Sequence, residues 1–115
     1  MVATSKTVGP KYIEYGTSIA VSIPQGWAGF IMPRSSISNY DMILSNSIGL
    51  IDSGFFGEIK VRMKKTENGI WNKEYEVGER ICQLVLLQVG LFELQEVDDL
   101  GESDRMDKGF GSSGV

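Results

Sequence analysis

Asp52 stands in the run Gly49-Leu50-Ile51-Asp52-Ser53-Gly54-Phe55-Phe56-Gly57-Glu58, one carboxylate between an apolar strand and a glycine-punctuated turn. A general base would sit in such a place, because the strand fixes it while the turn lets a ligand approach the backbone closely. On this segment alone a solvated turn aspartate in a hairpin is the plainer reading. A second group, Pro33-Arg34-Ser35-Ser36, follows a strand and offers a fixed cation, two hydroxyls and a turn of amides, a set suited to phosphate oxygens. The chain has no histidine and one cysteine, Cys82. Ser-His-Asp and Cys-His catalysis are therefore excluded, and a structural zinc site is nearly so. Any chemistry falls to carboxylates, arginines, hydroxyls and a hard divalent ion.

These residues must be positioned by short strands. Apolar or alternating segments recur between turn signals at Lys11 to Tyr15, Ser18 to Ile23, Trp27 to Met32, Ile43 to Leu44, Ile48 to Ile51, Glu58 to Met63, Ile81 to Val89 and Phe92 to Glu96. In Glu58-Ile59-Lys60-Val61-Arg62-Met63 the alternation puts Ile59, Val61 and Met63 on one face. Asn68-Gly69 is a two-residue hairpin signal. No segment reads as a capped amphipathic helix. Strands this short and frequent predict an all-β architecture, an antiparallel sandwich, jelly roll or barrel. Cys82 alternates with core positions and reads as a small buried hydrophobe. Trp27, Trp71 and Met32 read as packing or interface residues, and Lys64-Lys65 as a solvated hairpin flank.

With 115 residues, 42% hydrophobic and 23% charged, one soluble domain is expected. No apolar run approaches the ~20 residues of a bilayer crossing, so no membrane partner is expected. The net charge of −4 argues against duplex nucleic acid. A single cysteine and an N-terminus without a signal-peptide apolar stretch point to a reducing cytoplasm. From Asp98 onward the composition turns acidic and polar, then closes on Gly109-Phe110-Gly111-Ser112-Ser113-Gly114. Residues 1–97 thus read as a β domain and 98–115 as an arm, in which Phe110 could stack on a flat ligand while the flanking amides and serines bind anions.

Taken in order, Pro33-Arg34-Ser35-Ser36, then Asn46-Ser47-Ile48-Gly49-Leu50-Ile51-Asp52 with Phe55 and Gly57, then Gly78-Glu79-Arg80-Ile81-Cys82-Gln83-Leu84, then Arg105 ahead of the glycine- and serine-rich end resemble motifs two to five of the trimeric dUTP diphosphatases. The resemblance runs from about Val8 to the C-terminus and is similar to phage and bacterial members. It implies a jelly-roll or barrel-like β-clip fold with an extended C-terminal arm, and a homotrimer whose sites are shared between subunits. It also implies hydrolysis of dUTP to dUMP and pyrophosphate with Mg²⁺, held mainly by phosphates and water. In the family's pattern Asp52 is the base that activates water for attack on the α-phosphorus. Asn46 and the backbone of Gly49, Leu50, Ile51 and Lys60 would read uracil, and Phe55 replaces a tyrosine whose ring lies under the deoxyribose. Arg34, Ser35, Ser36 and Gln83 would hold phosphates, with Arg105, Phe110, Gly111, Ser112 and Ser113 closing over the nucleotide. Limiting uracil in DNA and supplying dUMP is the physiology implied.

Two departures stand out. The family carries a glycine after its motif-five arginine, whereas this chain has Arg105-Met106-Asp107-Lys108. The family also begins with a strand bearing Ala-Gly-x-Asp-Leu. Val2-Ala3-Thr4-Ser5 resembles the stretch on the C-terminal side of that motif, so the chain is expected to start just after it. Neither Asp41 nor Glu14 replaces the missing aspartate by position. The alternatives left open are a non-catalytic nucleotide-binding or interaction module that kept the fold, and, further behind, a dCTP deaminase. The latter shares the turn around Asp52, yet it needs a glutamate on the next strand where Arg62 stands.

Overall fold

The computed structural model describes residues 1–66 and 73–111. Seven strands build it: β1 (Ser5–Val8), β2 (Ile13–Gly16), β3 (Trp27–Pro33), β4 (Met42–Leu44), β5 (Gly49–Ile51), β6 (Lys60–Lys65) and β7 (Cys82–Gln88). They form two antiparallel sheets, one in the order β1-β2-β6-β4 and the other β5-β3-β7. A 3-10 turn over Ser35–Asn39 is the one helical element among the described residues. No helix there is long and apolar enough to cross a membrane. The all-β expectation therefore holds. The Asn68-Gly69 hairpin signal, Trp71, Ser112 and Ser113 lie outside the described residues.

The alternation in β6 does what its pattern predicts: Ile59, Val61 and Met63 are buried while Lys60, Arg62 and Lys64 are exposed. These apolar side chains join Ile13, Tyr15, Ile31, Met42, Leu44, Tyr75, Ile81 and Cys82 in one core. Cys82 is buried, and burial pushes its thiol above the usual value. Behind the 3-10 turn, Tyr40 stacks on Tyr75 with ring centroids 3.9 Å apart, and the Tyr15 hydroxyl donates to the Tyr75 carbonyl at 2.8 Å. Burial pushes the Tyr15 phenol up to about 12.

Three strand expectations need correction, and one strand is unexpected. Ser18 to Ile23 is no strand: Ser18 adopts φ +55°, which takes the backbone out of the β region. The segment is held instead by the Ile59 amide donating to the Ile19 carbonyl and the Thr17 hydroxyl donating to the Ile59 carbonyl. Lys11 to Tyr15 starts too early, since Gly9 donates to the Tyr12 carbonyl and closes a turn before β2. Phe92 to Glu96 makes no strand and finds no partner strand among the described residues. Conversely, β1 is a strand that composition concealed. Its Lys6 lies on the covered side of the sheet, opposite Tyr15 in register. There it is made tolerable by Glu74 at 2.6 Å and Glu76 at 2.9 Å, and a buried-side lysine erases the polar-apolar alternation. Lys65 likewise pairs with Glu74 at 2.7 Å rather than standing as a free solvated flank.

Candidate functional site

The strand β3 organises the site, because it pairs with β5 on one side and β7 on the other. Gly49 sits opposite Ile31, and Gln83 opposite Met32. Along β5, Asn46, Gly49, Leu50 and Ile51 meet Lys60, Val61 and Arg62 of β6 around a cavity of about 130 Å³, closed at the back by Ile31 and Leu44. That is well below the volume of a drug-sized ligand site and suits one small planar ring. Gly49 packs closely here: a Cβ would lie 3.1 Å from the Ile31 Cβ, which would have to shift by a few tenths of an ångström to admit it. Two larger hollows, of about 560 and 400 Å³, lie around the Gly9–Tyr12 turn, and the expected site residues line neither.

Asp52 follows the end of β5 and is exposed. Its carbonyl accepts from the Phe55 amide at 3.2 Å, closing a turn in which Gly54 takes φ +90°. Only glycine adopts that conformation without strain. Phe55 folds its ring back over Gly57, where a Cβ would come within 2.8 Å of the ring edge. The glycine thus clears the space in which this aromatic lies.

Arg34 forms the start of the 3-10 turn, and its carbonyl accepts from the Ile37 amide. Its guanidinium donates to the Arg80 carbonyl at 3.3 Å, while the Gln83 carboxamide donates to the Pro33 carbonyl at 3.0 Å. The β3–β7 register, with Pro33 opposite Cys82, sets the start of the 3-10 turn at Arg34 against the Arg80 to Gln83 stretch. The Ser36 and Tyr75 hydroxyls are both buried and lie side by side, burial pushing the Tyr75 phenol up and Ser36 drawing it part of the way back.

Two clusters therefore form, a ring-sized cavity and a cationic hydroxyl turn, joined through β3. Asp52 and Phe55 flank the cavity in sequence without lining it. The arm stays apart: Phe110 is fully exposed, and among the described residues the Arg105 guanidinium donates to the Lys108 carbonyl alone, three residues on. Met106, at the position where the family has glycine, takes φ +53°. Glu14 bonds Arg62 at 2.9 Å and Asp41 accepts from the Lys73 amide at 3.2 Å, so both carboxylates serve the scaffold. Sequence reasoning missed the pairing of Arg62 with Glu14. Strict alternation with the buried Val61 and Met63 marks Arg62 only as solvent-facing.

An antiparallel β protein with a cavity for one planar ring, beside a turn bearing arginine and serine hydroxyls, is the class these features define. The chain belongs to the dUTPase family, whose model matches residues 3–114. It is 38% identical over 114 residues to the deoxyuridine 5'-triphosphate nucleotidohydrolase of Escherichia phage T5, covering 97% of this chain and 76% of that protein. The protein of the same name from Finegoldia magna is 42% identical over 101 residues, which is 85% of this chain and 68% of that one. Among solved structures, the Staphylococcus bacteriophage 80alpha dUTPase with dUPNHPP superposes with a TM-score of 0.81 at 28% identity, covering 99% of this chain and 83% of that one. The fold is thus that of the dUTPases, as the β-clip expectation required.

Proposed function

We propose that this chain hydrolyses dUTP to dUMP and pyrophosphate, with Asp52 as general base. The observation that carries the reading is the convergence of Asn46, Gly49, Leu50, Ile51 and Lys60 on one ring-sized cavity, immediately before Asp52 in the chain. Uracil enters the cavity, where strand backbone and one carboxamide supply fixed donors and acceptors and leave no room for a methyl group. Phe55 stacks under the deoxyribose and crowds a 2′-hydroxyl. Arg34, Ser35, Ser36 and Gln83 hold the phosphates. Asp52 takes a proton from a water whose oxygen attacks the α-phosphorus. The bond from that phosphorus to the oxygen bridging toward the β-phosphorus breaks, and pyrophosphate leaves with the electron pair.

Among the described residues no three carboxylate or cysteine side chains come together. A Mg²⁺ ion carried by the triphosphate oxygens and water would neutralise phosphate charge without needing such a cluster. The working unit is a homotrimer. Leu91, Phe92, Leu94 and Leu100 are each more than two thirds exposed in the single chain, an apolar stretch suited to a neighbouring subunit. Arg105, Phe110, Gly111, Ser112 and Ser113 would then close over a nucleotide bound to another copy. The physiological result is removal of dUTP and supply of dUMP in the cytoplasm.

The test is pyrophosphate release from dUTP with Mg²⁺, with dCTP, dTTP and UTP as controls. Selective release from dUTP supports the reading; binding of dUTP without release would make the chain a nucleotide-binding module instead.

A further inference from the structure

We propose that Tyr75 is a positioning residue: its phenol, set behind the 3-10 turn against the Ser36 hydroxyl, holds that turn in the shape in which Arg34 and Ser35 meet the phosphates of the substrate. The inference rests on the reading of the turn as the phosphate site. In the sequence Tyr75 is a lone aromatic between Glu74 and Glu76, and it lies outside every strand. In the fold it is fully buried. Its backbone is fixed on both sides, the amide donating to the Met42 sulfur at 3.4 Å and the carbonyl accepting from the Tyr15 hydroxyl at 2.8 Å.

The ring and the hydroxyl of Tyr75 do different things. The ring stacks at 3.9 Å on Tyr40, the residue that ends the 3-10 turn, and the Tyr40 hydroxyl donates in turn to Glu79 Oε1 at 2.9 Å. The Tyr75 hydroxyl lies beside that of Ser36, inside the turn, and neither has another hydrogen-bond partner among the described residues. Burial pushes the Tyr75 phenol up, whereas the Ser36 hydroxyl and the Arg34 charge draw it back, so both turn residues stand next to it. Two buried hydroxyls that have only each other are coupled, because removing one leaves the other unpaired. The Ser36 hydroxyl therefore faces the core and serves the phosphates by anchoring the turn. Arg34 starts that turn and donates to the Arg80 carbonyl at 3.3 Å, so the segment from Tyr75 to Arg80 grips it at both ends.

The experiment is steady-state hydrolysis of dUTP by the full chain and its Tyr75→Phe, Ser36→Ala and double variants, with Tyr15→Phe as a control that removes a core hydroxyl bonded away from the turn. Phenylalanine at position 75 keeps the stack on Tyr40 and removes only the hydroxyl. The expected result in Tyr75→Phe is a rise in KM for dUTP of about three- to tenfold, the worth of one neutral hydrogen bond, with kcat changed by less than about twofold. Ser36→Ala should do the same, and the double variant no more than either, because the two hydroxyls act as one. Inhibition by deoxyuridine, which carries no phosphate, should stay as in the parent. Tyr15→Phe should melt at a lower temperature and keep its KM. An unchanged KM in folded Tyr75→Phe, a loss that falls on kcat alone, effects that multiply in the double variant, or an equal rise in KM in Tyr15→Phe would each overturn the inference. If Tyr75→Phe does not fold, hydrogen exchange of the Ile37 and Tyr40 amides in Ser36→Ala decides: faster exchange than in the parent supports the anchor, and equal exchange overturns it. A parent chain that neither binds nor hydrolyses dUTP overturns the proposed function and the inference with it, whereas an active parent beside an unaffected Tyr75→Phe overturns the inference alone.

Discussion

Asp52 is exposed at the end of β5, and its main chain rather than its side chain closes the following turn. Replacing the carboxylate by its isosteric amide should therefore leave the scaffold intact. We expect Asp52→Asn to lower kcat by about 10²- to 10⁴-fold, the usual worth of a positioned base, with dUTP still bound. Pyrophosphate release and a binding isotherm check the two halves, and retained turnover would defeat the assignment. Phe55 and Gly57 form a second testable pair. In Gly57→Ala the new methyl displaces the Phe55 ring, and because that ring ends in a free edge the fold yields at little cost. The variant should lose part of its preference for dUTP over UTP, measured as the ratio of kcat/KM, while melting within a few degrees of the parent.

At the scale of elements, β1 is tied to the segment before Tyr75 through charge. Glu74 accepts from both Lys6 and Lys65, and the bond to Lys6 is the largest of the effects holding its carboxyl below the usual range. A depressed folded-state value contributes stability that is complete above the unfolded value of ~4.3 and is lost as pH falls through the folded one. Burial pulls Lys6 down, but its bonds to Glu74 and Glu76 outweigh this and raise it. Its contribution is complete below ~10.4 and is lost as pH rises through the folded value. The tie is therefore whole between those limits. Glu74→Gln should cost about 1–3 kcal/mol at pH 7 and flatten the fall in melting temperature between pH 5 and 3, read by thermal melts. In the arm, Met106 holds φ +53°, a conformation costly for a side chain of its size. Met106→Gly removes that cost and should lower KM for dUTP if the arm closes over the nucleotide; an unchanged KM would separate the arm from binding.

On the scale of the whole molecule, the chain reaches 53 Å along its longest axis, because residues 90–111 leave the two sheets without folding back. The core of Ile59, Met63, Tyr75, Ile81 and Cys82 lies entirely before that point. Truncation after Val97 should leave the β domain folded and abolish dUTP turnover, as circular dichroism and the pyrophosphate assay would report. The apolar side chains Leu91, Phe92, Leu94 and Leu100 find no cover among the described residues. Light scattering of the intact protein should return three times the mass of the chain, and a monomer would exclude the shared-site arrangement.

Local pattern was enough for the all-β class, for the buried face of β6, for buried Cys82, and for the motif order that points to Asp52, Arg34 and Asn46. Those features depend on a period of two and on residue types at fixed short spacings, which a linear string carries. The string misled where a residue's partner is distant. Lys6 hides β1 because its counterions stand 68 and 70 residues away, and Ser18 to Ile23 alternates like a strand yet meets a positive φ at its first residue. Arg62 is the clearest case at the site. Alternation marks it as solvent-facing, and only the pairing of β2 with β6 shows that it meets Glu14 there. Which residues alternate is local, whereas which charges meet across strands is decided by register, and register is a property of the assembled sheet.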